Sequence, residues 1–348
     1  MKTLKEFNFK DKKVLVRCDF NTPLSREGLI LDDFRIKETI PTIKYLINKK
    51  AKVILMSHLG RPEGKVVKKF ALDKIQKKLS YYLKTSVKKA NDCLGKEVED
   101  TIKNMKPGEV LLLENLRFYK EEEKNGSGFA KALAKLGDIY INDAFGASHR
   151  AHSSIVGIPK YLLSGAGLLL EKEISSLERV IKNPKKPLVS IIGGSKVETK
   201  VRFINKISKI SDFVLIGGLI KNEILEKKIK IDYPKKIIGQ LEPLEGDFKY
   251  DIGPKTVNLF KDKIKTAKTI FFNGALGWIE KKKFAKGTED ILRAIIKSRA
   301  FSVVGGGEMV EFINKLGLSS KFSHVSTGGG AMLAFLSGEK LPGIEALK

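Results

Sequence analysis

Two lysines follow a pair of glycines in the stretch LVSIIGGSKVETK, which spans positions 188 to 200. The pattern predicts an apolar strand, a glycine turn and a helix on which Lys196 and Lys200, four residues apart, share one face. Like charges on one face destabilise a helix, and the dipole at the helix N-terminus repels cations. Backbone N–H groups of such a turn can bind an anion. We therefore interpret the stretch as a phosphate site, and a turn with two solvated lysines stays open as the alternative.

Polar side chains also follow four predicted strands in the first half of the chain. These strands are Lys13 to Arg17, Lys52 to Met56, Val110 to Leu113 and Ile139 to Ile141. Beyond their carboxyl ends come Asp19, Asn21, Arg35, His58, Arg61, Arg117 and Arg150. Ligands of open α/β sheets bind at this edge, and arginine binds carboxylate and phosphate in a bidentate manner. Because unliganded arginines would repel one another, the cluster predicts an anionic ligand, although His58 taken alone fits a structural role equally well.

Glycines end almost every predicted strand of the second half. The strands are Pro187 to Ile192, Phe213 to Ile216, Thr269 to Phe272, Phe301 to Val304 and His324 to Ser326. The glycines after them are Gly193, Gly194, Gly217, Gly218, Gly274, Gly305, Gly306, Gly307, Gly328, Gly329 and Gly330. A single glycine marks a turn, but five glycine-ended strands predict a ligand close to backbone N–H groups, and nucleotide phosphates fit. Neither a GxxxxGKS/T run nor a GxGxxG run in a dinucleotide-binding context is present.

Strands that alternate with helical patterns predict parallel sheets of the α/β class, in two doubly wound, Rossmann-like domains. The stretch from Gly165 to Asn183 is typical of a long amphipathic helix, and the sequence NPKKP breaks it. We place the junction between the domains there. Residues 1–164 then form the first domain, residues 165–184 an interdomain helix and residues 185–330 the second domain.

A net charge of +26, from 66 basic and 40 acidic residues, allows nucleic-acid, membrane-surface or polyanion binding. The lysines are dispersed along the chain without interleaved aromatic residues, so a solvated surface explains them better and no nucleic-acid partner is expected. The sequence has no signal-like segment and no apolar run long enough to span a bilayer. Two cysteines, Cys18 and Cys93, are too few for a disulfide framework. These features predict a cytoplasmic protein without a membrane partner.

Eight motifs together resemble the phosphoglycerate kinase family over nearly the whole chain. In order they are VRCDFN, LMSHLGRP, LLENLRF, INDAFGASHRAHSS, GGSKVETK, DIGPKT, FNGALG and FSHVSTGGGA. The resemblance implies reversible phosphoryl transfer between 1,3-bisphosphoglycerate and ADP, which gives 3-phosphoglycerate and ATP. It also implies a monomer with a ligand cleft between two hinged domains, and a tail of residues 331–348 that returns to the first domain. The first domain would bind 3-phosphoglycerate, and the second would bind ATP or ADP with magnesium (Mg²⁺).

The same resemblance implies roles for individual residues. The phosphoglycerate contacts would be Asp19, Asn21, Arg35, His58, Arg61, Arg117 and Arg150. The nucleotide contacts would be Gly194, Lys196, Lys200, Gly217, Gly218, Asn273, Glu280, Gly305, Gly306 and Gly307, with Glu280 at the ribose. Glu308 would be the metal-linked carboxylate. The residues that act on the phosphoryl group during transfer, by positioning and charge neutralisation, would be Arg35, Lys200, Gly306 and Gly329.

The second half departs from the family pattern near the expected nucleotide site. An aspartate and a threonine of the family are Glu308 and Met309 here. Further departures are Leu219 for a small residue, Ala275 for a proline, Thr199 for an acid, and a shortened segment from Lys227 to Lys249. An active enzyme is the favoured hypothesis. A catalytically weak relative, which binds phosphoglycerate or another phosphorylated anion without efficient transfer, stays open, and a basic nucleic-acid binder is a distant third.

Overall fold

Alternating apolar strands and helices build two separate parallel sheets in the computed structural model of this chain, which describes residues 1–194, 197–242, 244 and 250–348. The chain divides into two units. The first unit contains Met1–Lys172 and Lys340–Lys348, and the second contains Glu173–Glu339. The predicted α/β class and the presence of two domains are thus confirmed, whereas the limits given to each domain from the sequence stay a prediction.

The first unit is built on a six-stranded sheet in which all neighbouring strands are parallel. Its strands are β1 (Lys13–Arg17), β2 (Lys52–Met56), β3 (Val87–Lys89), β4 (Val110–Leu112), β5 (Ile139–Asn142) and β6 (Leu163–Ala166). They lie in the order β3-β4-β2-β1-β5-β6, so β1 and β2 are central. Val14, Leu15, Val16 and Arg17 of β1 are all fully buried, as expected for a parallel strand covered on both faces.

Helices lie between these strands or follow the last of them. They are α1 (Phe34–Asn48), α2 (Asp73–Leu83), α3 (Lys96–Lys103), α4 (Lys120–Glu123), α5 (Ser127–Ala134) and α6 (Leu168–Ile181), of which α6 belongs to the second unit from Glu173 onward. In α2 the buried residues Ile75, Leu79 and Leu83 recur every four positions, which places them on one face. That face joins the hydrophobic core that also contains the apolar residues of β1 and β2.

The second unit repeats the plan with another six-stranded parallel sheet. Its strands are β7 (Leu188–Ile192), β8 (Phe213–Ile216), β9 (Ile237–Gly239), β10 (Thr269–Asn273), β11 (Phe301–Gly305) and β12 (His324–Val325), in the order β12-β11-β10-β7-β8-β9. Its helices are α7 (Val197–Ile210), α8 (Leu219–Glu226), α9 (Pro254–Thr266), α10 (Lys286–Ser298), α11 (Gly307–Lys315) and α12 (Gly329–Leu336). The last short helix, α13 (Pro342–Glu345), belongs to the first unit.

All nine strands predicted from the sequence are present, and their ends differ from the prediction by at most one residue. The strands that the sequence did not predict, β3, β6 and β9, each lie at an edge of a sheet. An edge strand keeps exposed positions, as Leu163 does with 54% exposure, so no continuous apolar run marks it. The predicted helix from Gly165 begins only at Leu168, because Gly165 belongs to β6.

Both cysteines of the chain lie in the interior of the protein. Cys18 and Cys93 are free and fully buried, and burial raises the pKa of each thiol well above its ordinary value. They therefore act as packing residues. Among the described residues, no helix combines the length and the apolar character needed to cross a membrane.

One buried carboxyl group stands at the start of α6. Oδ1 of Asp143 accepts hydrogen bonds from the backbone N–H groups of Leu169 at 2.9 Å and Leu170 at 3.3 Å. Asp143 is fully buried, and its Oδ2 has no hydrogen-bond partner among the described residues. Burial is the main reason that the pKa of Asp143 rises from 3.8 to about 7.

Replacing Asp143 by asparagine should remove a loss of folding stability that grows as the pH rises. The folded protein keeps a proton on Asp143 up to about pH 7, whereas the unfolded chain releases it near 3.8, so the free energy of unfolding falls as the pH rises between these values. Asp143→Asn keeps an accepting oxygen and does not titrate. We expect its melting temperature, relative to the native protein, to increase from about pH 5 to about pH 8. The exposed Asp100→Asn is the control, and a constant difference for Asp143→Asn would contradict the raised pKa.

Candidate functional site

The carboxyl edge of the first sheet collects the polar residues that the sequence analysis placed there. Asp19 and Asn21 follow β1, and His58 follows β2. Arg117 follows β4, and Arg150 follows β5. Because all strands of this sheet are parallel, these loops leave it at the same edge.

Arg35, in the first turn of α1, is held against the loop after β1. Its Nη1 donates to Oδ2 of Asp19 at 3.1 Å and to the backbone O of Asn21 at 3.0 Å. Oδ1 of Asn21 accepts from the backbone N–H of Gly60 at 2.9 Å, which ties this loop to the loop after β2. The side chain of Arg35 stays 28% exposed, and the described residues engage only its Nη1. Its other donors therefore remain available to a ligand.

Arg117 and Arg150 contribute two further guanidinium groups. Nη1 of Arg117 donates to the backbone O of Gly60 at 2.7 Å, and Nε of Arg117 lies 3.0 Å from Oε1 of Glu123. Nη2 of Arg117 is buried without a hydrogen-bond partner among the described residues. Nε of Arg150 donates to Nε2 of His149 at 3.3 Å. An orphaned buried donor on a cation is costly unless an anion binds it.

Two histidines at the same edge have lowered pKa values, because they are buried and lie near the arginines. Burial is the largest cause that lowers the pKa of His58 well below its ordinary value of 6.5. The positive charges of Arg17, Arg117 and Arg35 lower it further. Burial, followed by Arg17 and Arg117, lowers the pKa of His152 to about 3. Both imidazoles are therefore neutral near pH 7, and the positive charge of this edge comes from its arginines.

Sequence reasoning assigned no role to Arg17 or His152, which the structure places beside His58. Arg17 is the last residue of β1, and its Nη2 lies 3.1 Å from Nδ1 of His58. The sequence feature that could have indicated Arg17 is a charged residue at the end of an apolar strand, at the edge where ligands bind.

Arg61 differs from the other candidates, because it is exposed and makes no hydrogen bond or ion pair with the part of the chain that the structure describes. The structure thus does not bring Arg61 into contact with the cluster.

In the second unit, the loops after β7 and β10 pack backbone against backbone. The N–H of Gly193 donates to the backbone O of Asn273 at 2.9 Å. The N–H of Gly194 donates to the backbone O of Ala275 at 2.7 Å. Gly274 has a φ of +81°, and a Cβ there would stand 2.4 Å from the backbone O of Gly193. Both backbone conformation and space therefore require glycine at this position.

Lys200 of α7 lies against the same two loops. Its Nζ donates to the backbone O of Gly193 and lies 2.7 Å from the place that a Cβ of Gly274 would take. Lys200 is only 8% exposed and forms no ion pair within the described ranges. Burial lowers the pKa of its ammonium group from 10.5 to about 8, although the charge of Glu308 opposes the shift. Lys200 is thus a buried cation that an incoming anion would stabilise.

Gly306 and Gly329 lie side by side at the starts of two helices. Gly306 precedes α11, which Gly307 begins, and Gly329 begins α12. A Cβ on Gly329 would lie 3.4 Å from Cα of Gly306. The backbone O of Gly305 accepts from Nδ2 of Asn273 at 3.2 Å, which anchors this loop to the end of β10. Two helix N-termini, with their unpaired N–H groups, therefore meet at one place.

A cavity of ≈ 340 Å³ opens beside these loops. Its wall includes Gly194, Gly218, Leu219, Tyr250, Trp278, Glu280 and Glu308. The rings of Tyr250 and Trp278 are nearly parallel, at 14°, with centroids 6.5 Å apart. Gly217 packs against Leu276 of the same wall. Lys196, which the sequence analysis assigned to this site, lies outside the described residues.

The donor groups of this cavity could hold a magnesium ion only together with oxygen atoms from a bound ligand or water. Among the residues that the structure describes, no group of three or more histidine, cysteine or acidic side chains could hold a metal. Glu308 is an exposed carboxylate in the first turn of α11, on the cavity wall. Magnesium is commonly held by one or two carboxylates together with phosphate oxygens and waters. Glu308 therefore fits an ion that arrives on the phosphates of a ligand.

Known proteins match this chain along its length. A family model described as phosphoglycerate kinase matches residues 4–239 and 227–339. The phosphoglycerate kinase of Dictyoglomus turgidum is 45% identical over 390 aligned positions, which cover 99% of this chain and 98% of the relative. That of Borrelia garinii subsp. bavariensis is 44% identical over 392 positions, with 100% and 99% covered. The alignments exceed the 348 residues of this chain, and the two model matches overlap at 227–239, which agrees with the shortened segment expected there.

Two solved structures are also similar. The crystal structure of phosphoglycerate kinase from Pyrococcus horikoshii OT3 has a TM-score of 0.90 at 32% identity, and the match covers 100% of this chain and 98% of that chain. The structure of phosphoglycerate kinase from Coxiella burnetii has a TM-score of 0.82 at 33% identity, with 99% and 98% covered. Sequence and fold therefore lead to the same family.

Anion binding at Lys200 should depend on pH, because the ammonium group loses its proton above about 8. Lys200→Met is uncharged at every pH and supplies the matched control. We expect pyrophosphate, measured by calorimetric titration, to bind the native protein more tightly than the variant at about pH 7. This advantage should shrink as the pH rises above about 8, since less of the cation remains. An equal ratio of the two affinities at low and high pH would show that Lys200 does not bind the anion.

Proposed function

The chain belongs to the phosphoglycerate kinase family, and from this premise we propose that it catalyses reversible phosphoryl transfer between 1,3-bisphosphoglycerate and ADP, which gives 3-phosphoglycerate and ATP. One observation carries the proposal. The residues of the matching motifs form a cationic cluster in the first unit and a glycine-lined cavity in the second. An acid phosphate and a nucleotide are the two ligands that such sites suit.

We assign 3-phosphoglycerate to the cationic cluster. The ligand carries a carboxylate and a phosphate, and guanidinium groups bind both. Arg117 has an orphaned Nη2, and Arg35 has donors that the described residues leave unused. Asp19 would repel a phosphate, so its roles are to orient Arg35 and to accept a hydrogen bond from the substrate hydroxyl. Asn21 keeps the loop in place through Gly60.

We assign the nucleotide to the cavity of the second unit. The aromatic surface of Tyr250 and Trp278, together with Leu219, suits a flat base. Glu280 on the same wall suits the ribose hydroxyls, which donate hydrogen bonds to a carboxylate. Gly194 belongs to the same wall and lies next to Lys200, where phosphates would meet backbone N–H groups.

The transfer itself requires charge stabilisation more than covalent help. Negative charge on the phosphoryl oxygens would be balanced by Lys200, by Arg35 and by N–H groups at the helix starts of Gly306 and Gly329. Magnesium, when bound with the nucleotide, neutralises phosphate charge. Glu308 is the residue that would hold it.

Met309, which follows Glu308, has no hydroxyl group where the family pattern has a threonine. Met309 is 1% exposed and packs into the core, so it donates nothing to a ligand. The N–H groups of Gly306 and Gly307 must then supply the bonds that a hydroxyl could have made. A weak relative that binds phosphoglycerate without transfer is less favoured, because Lys200 and both glycine helix starts are in place.

We further propose that the protein is a monomer. We also propose that it lies in the cytoplasm, since its buried free cysteines suit a reducing compartment.

A coupled assay of ATP formation from 1,3-bisphosphoglycerate and ADP tests this proposal. We expect the native protein to form ATP and Arg35→Ala to lower kcat/KM by about 10- to 100-fold, because hydrogen bonds to charged groups contribute about 1.5–3 kcal/mol. Arg26→Ala removes an exposed arginine of the same unit and should match the native protein. Absence of ATP formation would contradict the activity, and an unimpaired Arg35→Ala would remove Arg35 from the site.

A further inference from the structure

A fully buried carboxylate of the first unit, Glu122, takes no part in the sites described so far. Its Oε1 accepts from Oγ of Ser154 at 2.6 Å, and its Oε2 accepts from the backbone N–H of Ser154 at 3.0 Å. Oγ of Ser154 in turn accepts from Nε of Arg17 at 2.7 Å. Nη2 of Arg17 lies 3.8 Å from Oε1 of Glu122, so the two buried charges compensate each other.

Arg17 uses its donors inside the protein. Nε donates to Ser154, Nη1 donates to the backbone O of Cys18, and Nη2 lies 3.1 Å from Nδ1 of His58. Arg17 is also 0% exposed. A ligand could not reach its guanidinium group without breaking this arrangement, so Arg17 acts on a ligand only through His58.

The contact between Arg17 and His58 fixes the proton of the imidazole. A guanidinium group has donors and no acceptor, so Nδ1 of His58 must offer its lone pair to Nη2 of Arg17. The remaining proton of a neutral ring then lies on Nε2. Among the described residues, Nε2 of His58 has no hydrogen-bond partner, although the residue is only 6% exposed. This nitrogen is therefore a free donor within the cationic cluster.

We propose that Glu122, Ser154 and Arg17 are positioning residues that hold His58 as the neutral Nε2–H tautomer, which donates one directed hydrogen bond to an anionic oxygen of phosphoglycerate. The inference rests on the proposed function, since the substrate was assigned to this cluster there. It gives His58 the role of a directed donor and leaves the charge to the arginines.

The surroundings of His58 favour the neutral ring from every side. The groups that face it are Arg17, Arg117, Arg35 and His152, and together with burial they keep the pKa of His58 low. His152 is itself neutral near pH 7, with a pKa of about 3. An imidazolium at His58 would add a further positive charge. Its Nδ1–H would also face the N–H donor of Arg17, so that two donors would meet without an acceptor. Glu122 faces Arg17 and not His58, and it compensates part of the charge of Arg17 inside the buried network.

Nuclear magnetic resonance of the ligand-free protein with ¹⁵N- and ¹³C-labelled histidine tests the proposal directly. The chain has 4 histidines, and His58→Gln identifies the signals of His58. We expect a neutral Nε2–H ring that does not titrate between about pH 5 and about pH 8. An Nδ1–H tautomer, or a titration midpoint near the ordinary value of 6.5, would overturn the proposal.

Variants of the supporting residues separate positioning from general stability. Arg17→Lys and Ser154→Ala should shift His58 toward a mixture of tautomers and weaken 3-phosphoglycerate binding by about 10-fold in calorimetric titration. Ser153→Ala is the matched control, because Oγ of Ser153 donates to the backbone O of Glu121 and does not contact Arg17. Unchanged tautomer signals in Ser154→Ala would overturn the positioning role. Should Arg17→Lys not fold, the native spectrum and Ser154→Ala still decide.

The same measurements distinguish this proposal from the proposed function. The tautomer is read without ligand, whereas affinity is read with 3-phosphoglycerate. His58→Gln can still donate a hydrogen bond from its side-chain amide, and we expect it to bind 3-phosphoglycerate more tightly than His58→Ala. Equal affinities of these two variants would overturn the directed hydrogen bond. The expected tautomer without any 3-phosphoglycerate binding would refute the proposed function and leave the positioning of His58 standing.

Discussion

Electrostatic repulsion among arginines at the carboxyl edge of the first sheet is the constraint on which the arrangement of that edge depends. Each guanidinium group there is paired with a carboxylate, keeps donors for a ligand, or does both. The neutralising pairs are Glu122 with Arg17, Asp19 with Arg35 and Glu123 with Arg117. The imidazoles nearby stay neutral, because burial and the arginines lower their pKa values. Orphaned and solvent-facing donors remain, and they suit an acid phosphate.

The second unit meets a different requirement, which is close approach of backbone to ligand. Gly193 and Gly274 are in direct backbone contact, and Nζ of Lys200 rests against them without an ion pair among the described residues. A cation so placed loses hydration, and its pKa falls to about 8. An anionic ligand would supply the opposite charge that this ammonium group lacks among the described residues. In the proposed function, the first unit thus binds its ligand through side-chain charge, and the second binds its ligand through backbone N–H groups and the buried Lys200. Both arrangements suit the charge stabilisation that phosphoryl transfer needs.

The sequence predicted the parts of the fold that burial dictates. Central strands such as β1 and β7 are short, buried and mostly apolar, and the prediction located both within one residue. Edge strands such as β3 lack that signal, since one side of each has no strand to cover it. Residue types at strand ends indicated an anion site, but tertiary contacts decide which arginine faces a ligand. Arg17 was predicted only as the end of a strand and is in fact fully buried in contact with His58, whereas Arg61 is exposed.

The rate of ATP formation as a function of magnesium concentration, compared between the native protein and Glu308→Ala, tests the central claim most directly. If Glu308 holds the ion that accompanies the nucleotide, the native protein forms ATP and Glu308→Ala loses transfer by about 100-fold or more, while its affinity for 3-phosphoglycerate stays the same. Full magnesium-dependent activity in Glu308→Ala would contradict this account of the second unit. Absence of transfer in the native protein, with restoration by Glu308→Asp combined with Met309→Thr, would establish the weak relative instead.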